Sequence, residues 1–177
     1  TPKKVSVSDR NNIGYQYTDC PLYWISVIYL NFAEAKAEMG SLTQDDLNNS
    51  INKLQARAGL PAMTTTPDAD PANNMGVSNL IWEIRRCRRC ELIMDNWYRY
   101  WDLIRWHQLD KLDSTKYPNT MLGANVSNVP DCEEATKNGY IDASDAQIRT
   151  YEAKHYFYPI PTTQLTLNKN MKQNPGW

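Results

Sequence analysis

At 177 residues the chain is long enough to bury a real core, and 41% hydrophobic with 22% charged residues excludes a disordered or membrane-embedded polypeptide. A formal net charge of −1 gives no broad attraction to nucleic acid or to an anionic bilayer. The longest apolar run, 22–30, is broken by Ser26 and is too short for a membrane span; no basic-then-apolar signal opens the chain, which reads as mature or as lacking its beginning.

Residues 1–18 are polar and read as a loop or an edge strand. Thr18 or Asp19 is placed to cap a helix with Pro21 in its first turn, running to Met39, where Gly40 ends it in the left-handed conformation. Leu22, Ile25, Tyr29 and Phe32 line one face and Val27 and Leu30 point away from it, so this helix calls for partners on two sides. Thr43 and Asp46 form a variant capping box for a second helix. Its apolar positions Leu47, Ile51, Leu54 and Ala58 repeat at helical spacing until Gly59-Leu60-Pro61. The pair has the size of one tetratricopeptide-type unit, which cannot cover both of its own faces.

Residues 62–77 form a polar loop. Ser78 then caps a third, long helix, expected from Asn79 to Trp106. Two apolar stripes run along it, one through Trp82, Cys90, Ile93, Trp97, Tyr100 and Ile104, the other through Ile84, Cys87, Met94, Tyr98 and Trp101. Opposite charges at helical spacing (Arg88–Glu91, Asp95–Arg99, Arg99–Asp102) predict a central helix fixed by ion pairs. Residues 107–150 lose this periodicity and read as long loops with short strands at most; a loop of that length is often functional. In the tail, Tyr156-Phe157-Tyr158 precedes Pro159-Ile160-Pro161, and a helical turn starts at Thr162 or Thr163.

The chemistry-bearing residues are sparse. Six Trp and eleven Tyr against two Phe favour rings with a polar handle, which serve wet interfaces and sugar-stacking faces as well as helix packing. Of the four cysteines, Cys20, Cys87, Cys90 and Cys132, the Cys87-Arg88-Arg89-Cys90 pair invites a redox or metal reading, but it lies mid-helix with no second pair and reads better as small buried hydrophobes. Asp45-Asp46 sit where acids stabilise a helix start, and Glu133-Glu134 are adjacent and diverge. No phosphate-cradling loop, nucleophile elbow or HExxH motif is present, and His107 and His155 lack evident partners, so no enzyme, cofactor or metal is expected. The run from Arg85 to Arg89 is interleaved with Glu83, Glu91 and Asp95 and reads as an internal ion-pair ladder, not a nucleic-acid patch.

Five segments in order resemble the C-terminal part of SusD/RagB-like outer-membrane proteins: Leu30–Glu38, Ile51–Pro61, Glu91-Leu92 with Tyr100–Trp106, Tyr158–Pro161 and Gln173–Trp177. The resemblance implies one C-terminal domain over 1–177, with an N-terminal half and its lipid anchor outside this segment. It implies a mainly α fold of tetratricopeptide-like helix pairs with long loops and a few short strands. It further implies a non-catalytic protein on the outer face of the outer membrane, capturing oligosaccharides for a SusC-like TonB-dependent transporter. Peptide capture and a protein-interaction scaffold are the alternatives, with the Cys87–Cys90 redox or metal reading as a further rival. Glu34 is expected to face Arg57 across the helix pair, and Glu91 to be buried with an arginine such as Arg88. If this half touches ligand, loop 107–150 with Tyr117, Asn119 and Asn125 is the expected place.

Overall fold

A computed structural model of the protein describes residues 23–93, 98–129, 136–142 and 147–177. The expected strand or loop at 1–18, the Thr18–Pro21 helix start, Glu133-Glu134, Cys20 and Cys132 lie outside these residues. The chain divides into two compact units, Thr1–Ile93 and Met94–Trp177. The architecture is mainly helical with a few short strands, as expected.

In the first unit, α1 spans Ile25–Glu38, preceded by the extended Trp24 at φ −98°, ψ 140°. The expected start near Pro21 is therefore corrected, since Tyr23 and Trp24 are not helical. The helix ends as expected, with Gly40 at φ 66° and Ser41 N–H donating back to the Lys36 carbonyl at 3.0 Å. Its buried face is Ser26, Val27, Leu30, Ala33 and Glu34, whereas Ile25, Ile28 and Phe32 are exposed. Partners on two sides were expected; Val27 and Leu30 are packed, but Ile25 and Phe32 are not. On the facing helix Arg85, paired with Glu34 and Glu38, and Arg88, donating to Asn31, draw the stripe carrying Glu34 inward.

The second expected helix is two. In α2, Gln44–Asn48, the reciprocal box forms: Asp46 N–H donates to Thr43 Oγ1 at 3.1 Å and Thr43 N–H to Asp46 Oδ2 at 2.9 Å. Those hydrogen bonds to Thr43, and then Lys36 Nζ at 3.1 Å, hold the Asp46 carboxyl below its usual range. The chain breaks at Ser50, at φ −130°, ψ −98°, whose Oγ donates to the Asp46 carbonyl at 2.5 Å. That hydroxyl competes with the helical hydrogen-bond pattern, a competition that apolar periodicity does not register. The α3 helix, Ile51–Ala58, closes on Gly59 at φ 71°. Leu47, Ile51 and Leu54 are buried as their spacing predicts.

The long third helix is also interrupted. Here α4 covers Asn79–Glu91, its start capped by Ser78 Oγ accepting from Ile81 N–H at 3.3 Å, and Leu92 leaves helical geometry at φ −104°, ψ 24°. It packs most extensively on α1. The joint is polar: Arg85 Nε meets Glu34 Oε1 at 3.1 Å with side-chain exposures of 9% and 4%, Arg85 Nη2 meets Glu38 Oε1 at 3.2 Å, and Arg88 Nη1 donates to Asn31 Oδ1 at 2.8 Å. The expected Glu34–Arg57 pair is corrected: Arg57 reaches Glu91 instead, at 2.6 and 2.5 Å to its two carboxylate oxygens, joining the ends of α3 and α4. Glu91 is indeed half-buried with an arginine, but that arginine is Arg57. The sequence placed the charges correctly and misjudged which helices face each other.

In the second unit, α5 covers Tyr98–Arg105 and buries Asp102 and Leu103. Asp102 accepts from Arg105 Nε at 3.0 Å, and Trp106 and Leu109 complete the buried cluster. A 3₁₀ turn, Leu109–Leu112, leads to Asp113, which accepts from Thr115 N–H (2.9 Å), Thr115 Oγ1 (2.5 Å) and Tyr151 N–H (3.1 Å). The aperiodic stretch holds an antiparallel sheet in the order β1 (Leu122–Asn125), β3 (Tyr140–Asp142), β2 (Thr136–Lys137). Its hairpin turns on Asn138 and Gly139, at φ 55° and 79°, with Lys137 paired to Tyr140, the two-residue turn that Asn-Gly favours.

The tail ends in a clasp. After a 3₁₀ turn at Ala153–Tyr156, α6 forms over Thr162–Leu167, where a helical turn is expected. Gln173 then satisfies both backbone groups of Ile160, at 2.8 and 3.0 Å. Asn174 Nδ2 donates to the Tyr158 carbonyl at 2.6 Å, and Trp177 Nε1 to the Phe157 carbonyl at 2.9 Å. Two of the five resembling segments thus bind each other.

Replacing Arg85 by Met removes the guanidinium that meets both Glu34 and Glu38; urea denaturation will show a loss of about 3–5 kcal/mol, as for other broken buried pairs. The hydrogen bond from Thr115 and then that from Tyr151 N–H lower the Asp113 pKa to about 2. Because the folded value lies below the unfolded one, this stabilisation is complete above the ordinary carboxylate pKa and vanishes as pH falls toward about 2. The Asp113→Asn variant will show a flatter decline in melting temperature across that acidic window.

Candidate functional site

The three loop residues flagged for ligand contact differ in their surroundings. Tyr117 is half-buried, and its hydroxyl accepts from Lys111 Nζ at 2.8 Å. Asn119 and Asn125 are exposed; Asn125 Oδ1 accepts from Ser127 N–H at 3.0 Å, a local turn contact. A cleft of about 220 Å³ does lie in this stretch, but Ser114, Thr115, Pro118, Lys137 and Asp142 are among its walls and none of the three candidates is.

What the second unit does present is a ring cluster on its surface. Trp101 stands 54% exposed on α5 and Tyr158 68% exposed in the clasp. Tyr100 joins them: its ring centroid lies 5.5 Å from that of Trp101, edge-on, and its hydroxyl lies 3.4 Å from the Tyr158 hydroxyl. That hydroxyl pair is the main cause of the raised Tyr100 pKa. The Tyr100 hydroxyl therefore stays a neutral donor and acceptor at ordinary pH. Exposed flat rings beside paired hydroxyls suit a ligand with one apolar and one hydroxylated face. The stripe analysis put Trp101 in a core; it is on the outer surface because Asp102 and Leu103 take the inner one. The signal was available in the amphipathic count, but the assumption of one continuous helix obscured it.

The cysteine pair behaves differently at its two positions. Both are free thiols, Cys87 half-buried and Cys90 exposed, so the expected burial fails at Cys90. Burial, followed by the nearby Glu91 carboxylate, pushes the Cys87 thiol up to about 11, outweighing Arg86. The flanking arginines do not activate it because they are committed to acids: Arg86 to Glu83 and Arg85 to Glu34 and Glu38. Among the described residues no cluster of three or more metal-ligating side chains forms. His155 Nδ1 accepts from Glu152 N–H at 3.0 Å, and the His107 ring lies 4.8 Å from that of Tyr156, both structural roles.

Comparison with known proteins now fits this frame. The sequence profile of the SusD family matches residues 1–177. The chain belongs to the SusD family. Among solved structures it is similar to BT4246, determined as selenomethionine protein, at 26% identity and a TM-score of 0.59, over 92% of this chain and 26% of that one. It is also similar to a SusD-like protein (BF3747) from Bacteroides fragilis NCTC 9343, at 25% identity and a TM-score of 0.59, over 96% of this chain and 29% of that one. The chain thus spans under a third of either structure. No curated protein sequence matches it. No helix among the described residues is long and apolar enough to cross a membrane.

At pH 8, iodoacetamide will label Cys87 at least tenfold more slowly than an unhindered cysteine, with a rate that climbs toward pH 11, because only the thiolate reacts. Peptide mapping after timed alkylation measures it.

Proposed function

We propose that this chain is part of a non-catalytic nutrient-capture protein of polysaccharide utilisation, which binds oligosaccharides at the cell surface and passes them to a SusC-like TonB-dependent transporter. Membership of the SusD family supports the class, and the exposed Tyr100–Trp101–Tyr158 cluster is the observation that supports glycan as the ligand. A ring face covers the C–H side of a sugar while neighbouring hydroxyls exchange hydrogen bonds with its rim, and neither demands an enclosed pocket. Outer-membrane attachment through a lipid anchor elsewhere in the protein belongs to the same reading.

A second reading has its own observation. Ile25, Ile28 and Phe32 lie exposed along α1, with Tyr23 at 81% exposure just before it. An apolar face of that kind supports a protein-contact role, alongside glycan capture or in its place.

Affinity electrophoresis of the full-length protein through gels containing amylopectin, xylan or pectin separates the two. Retardation by at least one polysaccharide, weakened about tenfold by Trp101→Ala with Tyr158→Ala, is expected for stacking. Unretarded migration in every gel, with co-purification of the transporter retained, would leave the scaffold.

A further inference from the structure

We propose that the cleft between α3, segment 60–68 and α4 is a further carbohydrate subsite, taking one or two uncharged sugar rings. The inference rests on the glycan-capture reading above but on different residues. The cleft holds about 420 Å³, within the roughly 300–1,000 Å³ range of small-molecule sites.

Its floor carries Gln55, which is only 7% exposed on α3. Among the described residues the Gln55 side chain makes no hydrogen bond, yet no fully enclosed side-chain polar atom lacks a partner. The amide therefore opens into the cleft, a donor and an acceptor held in one plane. An amide open to solvent can exchange water for a ligand hydroxyl, and of the other buried residues on this helix Ile51 and Leu54 are apolar while Asn52 is taken up by Met63. A bound hydroxyl pair would meet both halves of the amide.

The walls are fixed before any ligand arrives. Asn52, 9% exposed, grips the Met63 backbone from both sides: Met63 N–H donates to its Oδ1 at 2.7 Å and its Nδ2 donates to the Met63 carbonyl at 3.1 Å. Gln44 Nε2 adds a third bond to that carbonyl at 3.0 Å. Farther along, Trp82 Nε1 donates to Asp70 Oδ2 at 2.9 Å and ties the loop to α4. Segment 64–68 runs between these anchors, contributing Thr64, Thr66 and Asp68 to the lining. A preset wall loses little freedom on binding.

Charge and backbone select the ligand class. The lining contains Asp68, Glu83 and Arg86, and Arg86 is engaged by Glu83 through two nitrogens, so an anion finds net negative charge and no open cation. The backbone groups of Met63 are already taken, so an added peptide strand cannot pair there. A neutral polyol needs neither; planar amide and carboxylate groups read its hydroxyls, and Leu60, Pro61 and Pro67 offer apolar wall to its C–H face.

Titration of the full-length protein, methyl-labelled at methionine, with glucose, maltose, cellobiose and tri-alanine tests the proposal. The Met63 methyl, which lines the cleft, will shift saturably with at least one sugar. Gln55→Met will weaken that titration at least tenfold with an unchanged or higher melting temperature, and Trp101→Ala with Tyr158→Ala will leave it intact. A Met63 methyl that no sugar moves, a Gln55→Met protein that titrates like the parent, or a response to tri-alanine alone overturns the subsite. If polysaccharide gels still retard such a protein, glycan capture stands without this cleft. If sugars move the methyl and no gel retards the protein, the cleft stands and the ring cluster does not.

Discussion

The first unit is organised by one buried charge pair, Arg85 with Glu34, each under a tenth exposed. Neither group tolerates that position alone, so α1 and α4 are obliged to meet in one register, where Arg85 also reaches Glu38 and the neighbouring Arg88 donates to Asn31. Once that register is set, Ser26, Val27, Leu30 and Ala33 are carried inward with Glu34, and Ile25, Ile28 and Phe32 are left outside. An apolar count alone calls for cover on both faces and does not choose between them. The polar requirement is stricter because a misplaced methyl costs little and a misplaced ion costs several kcal/mol.

What was readable in advance follows from this. Caps and stops depend on neighbours within four residues, and Thr43–Asp46, Ser78, Gly40 and Gly59 all behave as their local chemistry dictates. Leu47, Ile51 and Leu54 are buried because their helix is strongly one-sided. Helix continuity was less legible: Ser50 and Leu92 carry no Pro or Gly, and the breaks there rest on a hydroxyl contact and a local backbone turn. The Asn138-Gly139 pair was a sufficient hairpin signal in a stretch read as loop. The loop candidates Tyr117, Asn119 and Asn125 rested on composition alone, and composition does not distinguish an asparagine that closes a turn from one that meets a ligand.

In the proposed reading the two surfaces would divide the chemistry of sugar recognition between them. Tyr100, Trp101 and Tyr158 supply rings with little enclosure; the Gln55 cleft supplies planar hydrogen-bonding groups with no aromatic side chain in its lining. Long glycans meet their receptors through several weak contacts in parallel, where linked modest sites outperform any one alone. Family-typical segments have a different task. Tyr158–Pro161 and Gln173–Trp177 are bound to each other through Gln173, Asn174 and Trp177, which holds the Tyr158 backbone in place while its ring projects outward.

The surroundings of α3 are held by fastenings of opposite electrical character. On one side the buried Asn52 and the exposed Gln44 grip Met63 with uncharged amides. On the other, Arg57 reaches across 34 positions of sequence to Glu91 with its guanidinium 57% exposed. Mobile ions weaken only contacts of the second sort. In brine the far ends of α3 and α4 would slacken while the Met63 anchor kept its grip, so the enclosure would loosen from one rim, like a hinged cover whose latch is magnetic and whose hinge is riveted.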